Sequence, residues 1–264
     1  MTPPDEFVPV TEHDRRYVGT RRVRLGDVHP DGSLRLDALA RYAQDVATDD
    51  SAESGITDET GYWVLRRLVG ELTGRLSLGE MVELTTFCGG SGPRWAERRT
   101  RVVGAGRGTV DLAAVWVHVD RTTGAPLPVP ADFHAVYGEG TRRRIRARLE
   151  HPPPPSPSPS PLGSGQDSAA PRGENLTRTG WGLRSTDFDV LGHVNNAVYW
   201  AAVEDDLAAR ESTRVRRIEM EHRAGIDPRD VVELVHAEGD PSRLWFTVDG
   251  EVRASAAYWL GPER

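Results

Sequence analysis

The chain has one cysteine, Cys88, and no apolar run near the ~20 residues a membrane-crossing helix needs. A disulfide within the chain is therefore excluded. No Cys/His spacing suits zinc, so no metal is expected. Cys88, in TTFCGG, reads as a small buried residue at a strand end. Positive charge is also scarce: 33 Lys and Arg stand against 40 Asp and Glu, a net charge of -7. This balance argues against a broad nucleic-acid or anionic-membrane surface. The basic segments TRRRIRAR (141–148) and RVRR (214–217) read as solvated charge. The N-terminal MTPPDEFVPV lacks a basic leader and an apolar stretch, so a cytoplasmic location is expected.

What is present is a chain of 264 residues in two parts. HPPPPSPSPSPLGSGQDSAAPRGEN (151–175) cannot bury enough apolar surface to offset chain entropy and reads as an extended linker. The boundaries drawn are a first domain over 1–140, a linker over 141–176 and a second domain over 177–264. In the first part, RRYVGTRRVRLGDV reads as a strand. Ser33 then caps a helix whose apolar stripe runs through Leu36, Leu39, Ala40, Ala43, Val46 and Ala47, and Gly55 ends it. Strand-like runs follow, the last two joined by a Gly-rich turn between Val103 and Thr109. The second part repeats the order: a strand, a helix through AVYWAAVEDDLAA capped by Asn195 or Asn196, then further strands. Asp249-Gly250 is the strongest hairpin signal. The class is α+β with an internal duplication. Trp63, Trp95, Trp116, Trp245 and Trp259 read as core, with some able to line a tunnel. Asp45 reads as solvent-exposed. His118, His134, His222 and His236 are scattered.

The chemistry concentrates in DFDVLGHVNNAVY (187–199). Asp189, Gly192 and His193 sit where a strand hands over to a helix, whose N-terminus presents unpaired N–H groups and a positive dipole end. Such groups polarise a carbonyl oxygen. Gly192 allows close approach of substrate to the backbone near the Gly192–His193 N–H groups. Asp189 can activate water or attack a carbonyl carbon. His193 can bond substrate or orient the carboxylate, and Asn195 or Asn196 can reach the site. Capping alone would explain a shorter motif; it does not require Gly, His and two Asn in this order.

This stretch resembles the thioesterase signature of the hotdog superfamily, in both the 4-hydroxybenzoyl-CoA thioesterase-like branch and the fatty acyl-ACP thioesterases. In the first half, VLRRLVGELTGRLSLGEMVELTTFCGGSGPRWAERRTRV and AAVWVHVDRTTGAPLPVPADF are similar to the acyl-ACP thioesterase N-terminal part. The resemblance implies a tandem double hotdog, each half an antiparallel sheet wrapped around a central helix, with the acyl-chain pocket in the first half and catalysis in the second. It implies hydrolysis of a fatty acyl thioester, carried by acyl carrier protein or coenzyme A, without a cofactor, by a monomer or homodimer. The catalytic set carried over is Asp189, Gly192, His193 and Asn195. The substrate-binding set is Asn196, Tyr199, Glu204 and Glu221, the last by a shift of register.

Two positions depart from that family. Leu191 stands where an asparagine precedes the His, and Arg223, followed by Ala224, stands where a glutamate is usual. These departures keep a second reading open, a non-catalytic acyl- or partner-binding double hotdog. The D-x-x-G-H-V-N-N run argues against a dehydratase. In the first half, Asp27, Val28, His29, Pro30, Asp31 and Gly32 form a degenerate copy of the junction, expected to cap a helix rather than catalyse.

Overall fold

The computed structural model describes residues 7–9, 15–56, 58–155, 176–209 and 214–261. The first half holds β1 (Arg16–Arg22), α1 (Leu36–Ser54), β2 (Gly61–Thr73), β3 (Met81–Ser91), β4 (Trp95–Gly104), β5 (Thr109–Asp120) and the short α2 (Phe133–Tyr137). The second holds β6 (Leu176–Trp181), α3 (Val198–Ala208), β7 (Arg214–His222), β8 (Val232–Ala237), β9 (Ser242–Val248) and β10 (Glu251–Gly261). The duplication expected from the sequence is present in full.

All ten strands form one sheet in the order β1-β3-β4-β5-β2-β7-β10-β9-β8-β6. Each half therefore has the same internal order, and the halves meet at β2 and β7. That seam is antiparallel, with Val69 opposite Glu219 and Gly70 opposite Ile218. Joining the halves there removes two edge strands at once. A Cβ on Gly70 would lie 2.9 Å from the Leu112 side chain and 3.2 Å from that of Ile218, so glycine allows the seam to close.

Each helix lies against its half of the sheet, and the two cores merge into one. Leu39, Val46, Leu84 and Leu112 from the first half and Trp200, Ile218, Met220 and Phe246 from the second belong to a single buried cluster. Of the five tryptophans expected in the core, Trp245 alone is fully buried. Trp63 and Trp116 border a cavity instead, Trp95 donates to the Ile145 carbonyl, and Trp259 lies under the Arg217 guanidinium. Asp45 is exposed beside Arg21, as expected. The Asp249-Gly250 hairpin forms with positive φ at both residues, as the I′ turn requires.

Ser33 does not cap α1. Its N–H and hydroxyl both bond Asp31, and the first free helical N–H, that of Leu36, is taken by Glu204 of the other half. Neither Asn195 nor Asn196 is the N-cap of α3, which is Ala197 and has no side-chain cap; Asn195 accepts the Ala197 N–H at 2.9 Å and so closes the turn that leads into the helix.

The boundary at 141 is too early. Residues 143–152 are docked along the sheet as a strap that crosses from one half to the other. Ser91 and Arg144 form a bridge, Arg143 donates to the Gly89 carbonyl, and Trp245 donates to the Pro152 carbonyl at 2.8 Å. Ile145, Ala147 and Leu149 turn inward, while Arg144, Arg146 and Arg148 are exposed. The basic run is therefore solvated on one side only. Most of the expected linker, 156–175, lies outside the described residues.

Candidate active site

The two strand-to-helix junctions share one backbone frame. In the first, a 3₁₀ turn (Leu25–Asp27) closes with the Arg24 N–H on the Asp27 carboxylate at 3.0 Å. In the second, Ser185–Asp187 closes with the Arg184 N–H on Asp187 at 2.7 Å. His29 N–H bonds the Ser33 carbonyl just as Asp189 N–H bonds that of His193, and Arg35 N–H bonds Asp27 as Asn195 N–H bonds Asp187. The frames register at a constant offset, which puts His29 on Asp189, Gly32 on Gly192, Leu36 on Asn196 and Gln44 on Glu204. Gly32 and Gly192 have φ of 80° and 78°, a left-handed geometry that favours glycine.

The second junction opens onto a cavity of about 700 Å³ that runs into the first half. Asp189, Leu191, Asn195 and Asn196 line its mouth, with Gln44 of α1 facing them. Trp63, Phe87, Cys88, Trp116, Phe133 and Tyr137 line its body. Cys88 is buried, as expected of a small residue there. A narrow apolar slot of about 30 Å³ leads on between the Ala40, Ala43 and Ala47 face of α1 and the sheet, and Trp200 stands in its wall. Gln44, Ala47 and Asn196 border both spaces.

Asp189 is half-buried and accepts the Leu191 N–H through Oδ1 at 2.9 Å. Gly192 spends its N–H on the Asp189 carbonyl, so it is not the donor a substrate carbonyl would use. The backbone N–H and side-chain amide of Asn196 have no partner among the described residues, and Asn196 lines the cavity. The free donor thus lies four residues beyond the expected Gly192. His193 does not line the cavity. Its ring packs over Gly225, where a Cβ would fall 2.8 Å away, and Nε2 faces Asp227 at 3.4 Å.

Three expected substrate residues have structural roles instead. Tyr199 is buried, its ring edge-on to His222 and Phe246, and burial raises its phenol pKa. Glu221 is fully buried and accepts the N–H groups of Glu150 and His151, anchoring the strap. Arg223 holds the same strap through the His151 carbonyl at 2.9 Å. Glu204 faces a separate cavity of about 350 Å³ at the first junction, its Oε1 on the Leu36 N–H and its Oε2 3.0 Å from His29 Nε2. Burial raises the Glu204 pKa. The helix N–H of the degenerate copy is therefore sealed, although a cavity lies beside it: a carboxylate occupies the donor that a carbonyl oxygen would need.

The sequence reading missed the far wall. Asp50, 1% exposed, accepts Arg98 at 2.7 Å, Tyr137 at 2.9 Å and Arg15 at 3.1 Å. This cluster fixes α2 against the cavity. At the rim, His118 bonds the Pro128 carbonyl at 2.6 Å and Asp58 at 2.5 Å. Hydrogen bonds, that of Thr60 foremost, hold the Asp58 carboxyl at about 2. Nothing local marks Asp50 or His118, because their partners lie far along the chain. Among the described residues no group of side chains could hold a metal ion, and no helix is long and apolar enough to cross a membrane.

Residues 14–137 match the acyl-ACP thioesterase N-terminal domain and residues 172–256 its C-terminal domain. An uncharacterized protein of Mycobacterium tuberculosis, Rv2001, is 27% identical over 247 residues, 91% of each chain. The fold matches that of a Lactobacillus plantarum protein assigned as an oleoyl thioesterase (TM-score 0.77, 18% identity, 96% of this chain and 99% of that one). It also matches the 12:0-ACP thioesterase of Umbellularia californica (TM-score 0.72, 18% identity, 94% of each). With both halves matched and a carboxylate at the mouth of a cavity that spans them, the chain belongs to the acyl-ACP thioesterase family and is a hydrolase of fatty acyl thioesters.

Proposed function

We propose that hydrolysis takes place at the α3 N-terminus, with Asp189 as general base or nucleophile and the Asn196 N–H polarising the thioester carbonyl. The observation that carries this reading is the grouping, at one cavity mouth, of the half-buried Asp189 carboxylate and the Asn196 N–H, which has no partner among the described residues. In the sealed copy the corresponding N–H, that of Leu36, already holds a carboxylate oxygen, which supports its fitness for an oxyanion. Asn195 holds the turn into α3 through the Ala197 N–H, and Asn196 offers its amide to the substrate. The acyl chain enters the first half, over Trp63, Phe87 and Phe133, and its end reaches toward the slot beneath α1. His193 contributes at the entrance, beside Asp227, rather than at the reacting carbon. The thioester arrives on acyl carrier protein or coenzyme A, and the reaction needs no bound cofactor. Release of free fatty acid would end a cytoplasmic course of fatty acid biosynthesis.

Asp189→Asn keeps the shape and removes the base. It should lower kcat on acyl-CoA and acyl-ACP by roughly 10²–10⁴-fold. Equal rates for the variant and the unaltered chain would dismiss the assignment. Thermal stabilisation by acyl thioesters without turnover would turn the reading toward binding alone.

A further inference from the structure

The duplicated frame brings a residue of the first half into the site of the second. Gln44 on α1 and Glu204 on α3 hold corresponding places. In the sealed copy the whole relation is visible: Glu204 crosses to the other half's helix, takes the Leu36 N–H and faces His29 at 3.0 Å. The corresponding trio in the open copy is Gln44, Asn196 and Asp189. All three line the same cavity. Gln44 is half-buried, and its side-chain amide has no hydrogen-bond partner among the described residues. A sheltered amide that faces a cavity without a protein partner is satisfied by water or ligand.

We propose that Gln44 is a catalytic residue of the thioester hydrolysis, supplied across the seam by the first half, and that its amide holds the attacking water beside Asp189. This rests on the reading of Asp189 as the base. The Gln44 Oε1 accepts one water hydrogen and the Asp189 carboxylate the other. As the water oxygen bonds to the carbonyl carbon, Asp189 takes the proton and the carbonyl oxygen gains negative charge at the Asn196 N–H. Collapse re-forms the carbonyl and breaks the C–S bond. The thiolate leaves with the proton from Asp189, and the acid is released. The change of side chain between the copies fits this role. A glutamate suits the sealed copy, where it faces an imidazole; beside Asp189 it would set two carboxylates together, each disfavouring ionisation of the other.

The test compares the unaltered chain, Asp189→Asn, Gln44→Leu and Gln44→Glu on a series of saturated acyl-CoA thioesters. Gln44→Leu should lower kcat by roughly 10–100-fold, with KM changed by less than about threefold and the melting temperature retained. Gln44→Glu should move the acidic limb of the kcat/KM profile to higher pH, because the added carboxylate raises the pKa of Asp189. A kcat for Gln44→Leu within about twofold of the unaltered chain, with Asp189→Asn inactive, would overturn the proposal and leave the Asp189 reading intact. An unmoved acidic limb in Gln44→Glu would overturn the placement. Full activity of Asp189→Asn would remove the Asp189 reading first, and Gln44 with it.

Discussion

His222 gives the fold a pH dependence whose size follows from its surroundings. Its ring is buried at the end of β7, edge-on to Tyr199 at 4.9 Å, and its Nε2 has no partner among the described residues. Burial first, and then the charge of Arg66, push its pKa down from 6.5 to about 4. The unfolded chain therefore binds a proton near pH 6.5 that the folded chain refuses until about pH 4. Stability is fully present above the unfolded value and is lost as pH falls through this window. At 1.36 kcal/mol per unit the complete effect is about 3 kcal/mol, of which about 2 kcal/mol falls between pH 8 and 5. Glu204 works in the opposite direction, since its raised pKa makes protonation easier in the fold, so the dependence of the unaltered chain alone does not isolate His222. A difference between variants does. His222→Leu removes both the titration and the orphaned nitrogen. Urea unfolding at pH 8 and at pH 5 should show the variant losing about 2 kcal/mol less than the unaltered chain over that interval. The same loss in both proteins would refute the assignment of a buried neutral imidazole.

Other substitutions test the remaining parts. Asp50→Ala leaves the part-buried Arg98 and the Tyr137 hydroxyl without their carboxylate and should cost about 3 kcal/mol in chemical denaturation. Glu221→Ala frees the Glu150 and His151 N–H groups; limited proteolysis within 143–152 should accelerate, with a stability loss of roughly 2 kcal/mol. Glu204→Ala uncaps α1 and should lower stability by about 0.5–2 kcal/mol. Glu204→Gln keeps an acceptor for the Leu36 N–H and should lose less than Glu204→Ala when the two are melted side by side.

The parts of this structure legible in the sequence are those written locally. The Asp249-Gly250 turn needs only its own dihedrals. The turn that Asn195 closes ahead of α3 needs a neighbour two residues away. The order of elements repeats in both halves, and the D-x-x-G-H-V-N-N run marks the junction that carries Asp189. What was not legible depends on distant partners. Ser33 looks like a cap, but Glu204 arrives from the other half and takes the N–H instead. His193 reads as part of the site, yet Gly225 leaves space that turns its ring outward. Glu221 shares a strand with plausible site residues, but the alternation of β7 sends it to the face where the strap lies. The strap itself carried a signal: Ile145, Ala147 and Leu149 alternate with arginines at a strand period. The density of charge concealed that period.

The two copies of the junction differ in how their polar groups are satisfied, and that difference bears on why one reacts. In the first copy the helix N–H, the carboxylate of Glu204 and the imidazole of His29 satisfy one another. In the second, the Asn196 N–H and the Gln44 amide have no partner among the described residues. Both groups are half-buried and line the cavity, so water or a ligand can take them up. Closing the first site and opening the second are therefore linked through the same pair of helix positions, Gln44 and Glu204. An exchange that placed glutamine at 204 and glutamate at 44 would move the acidic side chain to Asp189 and leave His29 facing a neutral amide. On this reasoning hydrolysis at the second site would weaken, while the first, with His29 in the place of Asp189, would not acquire it.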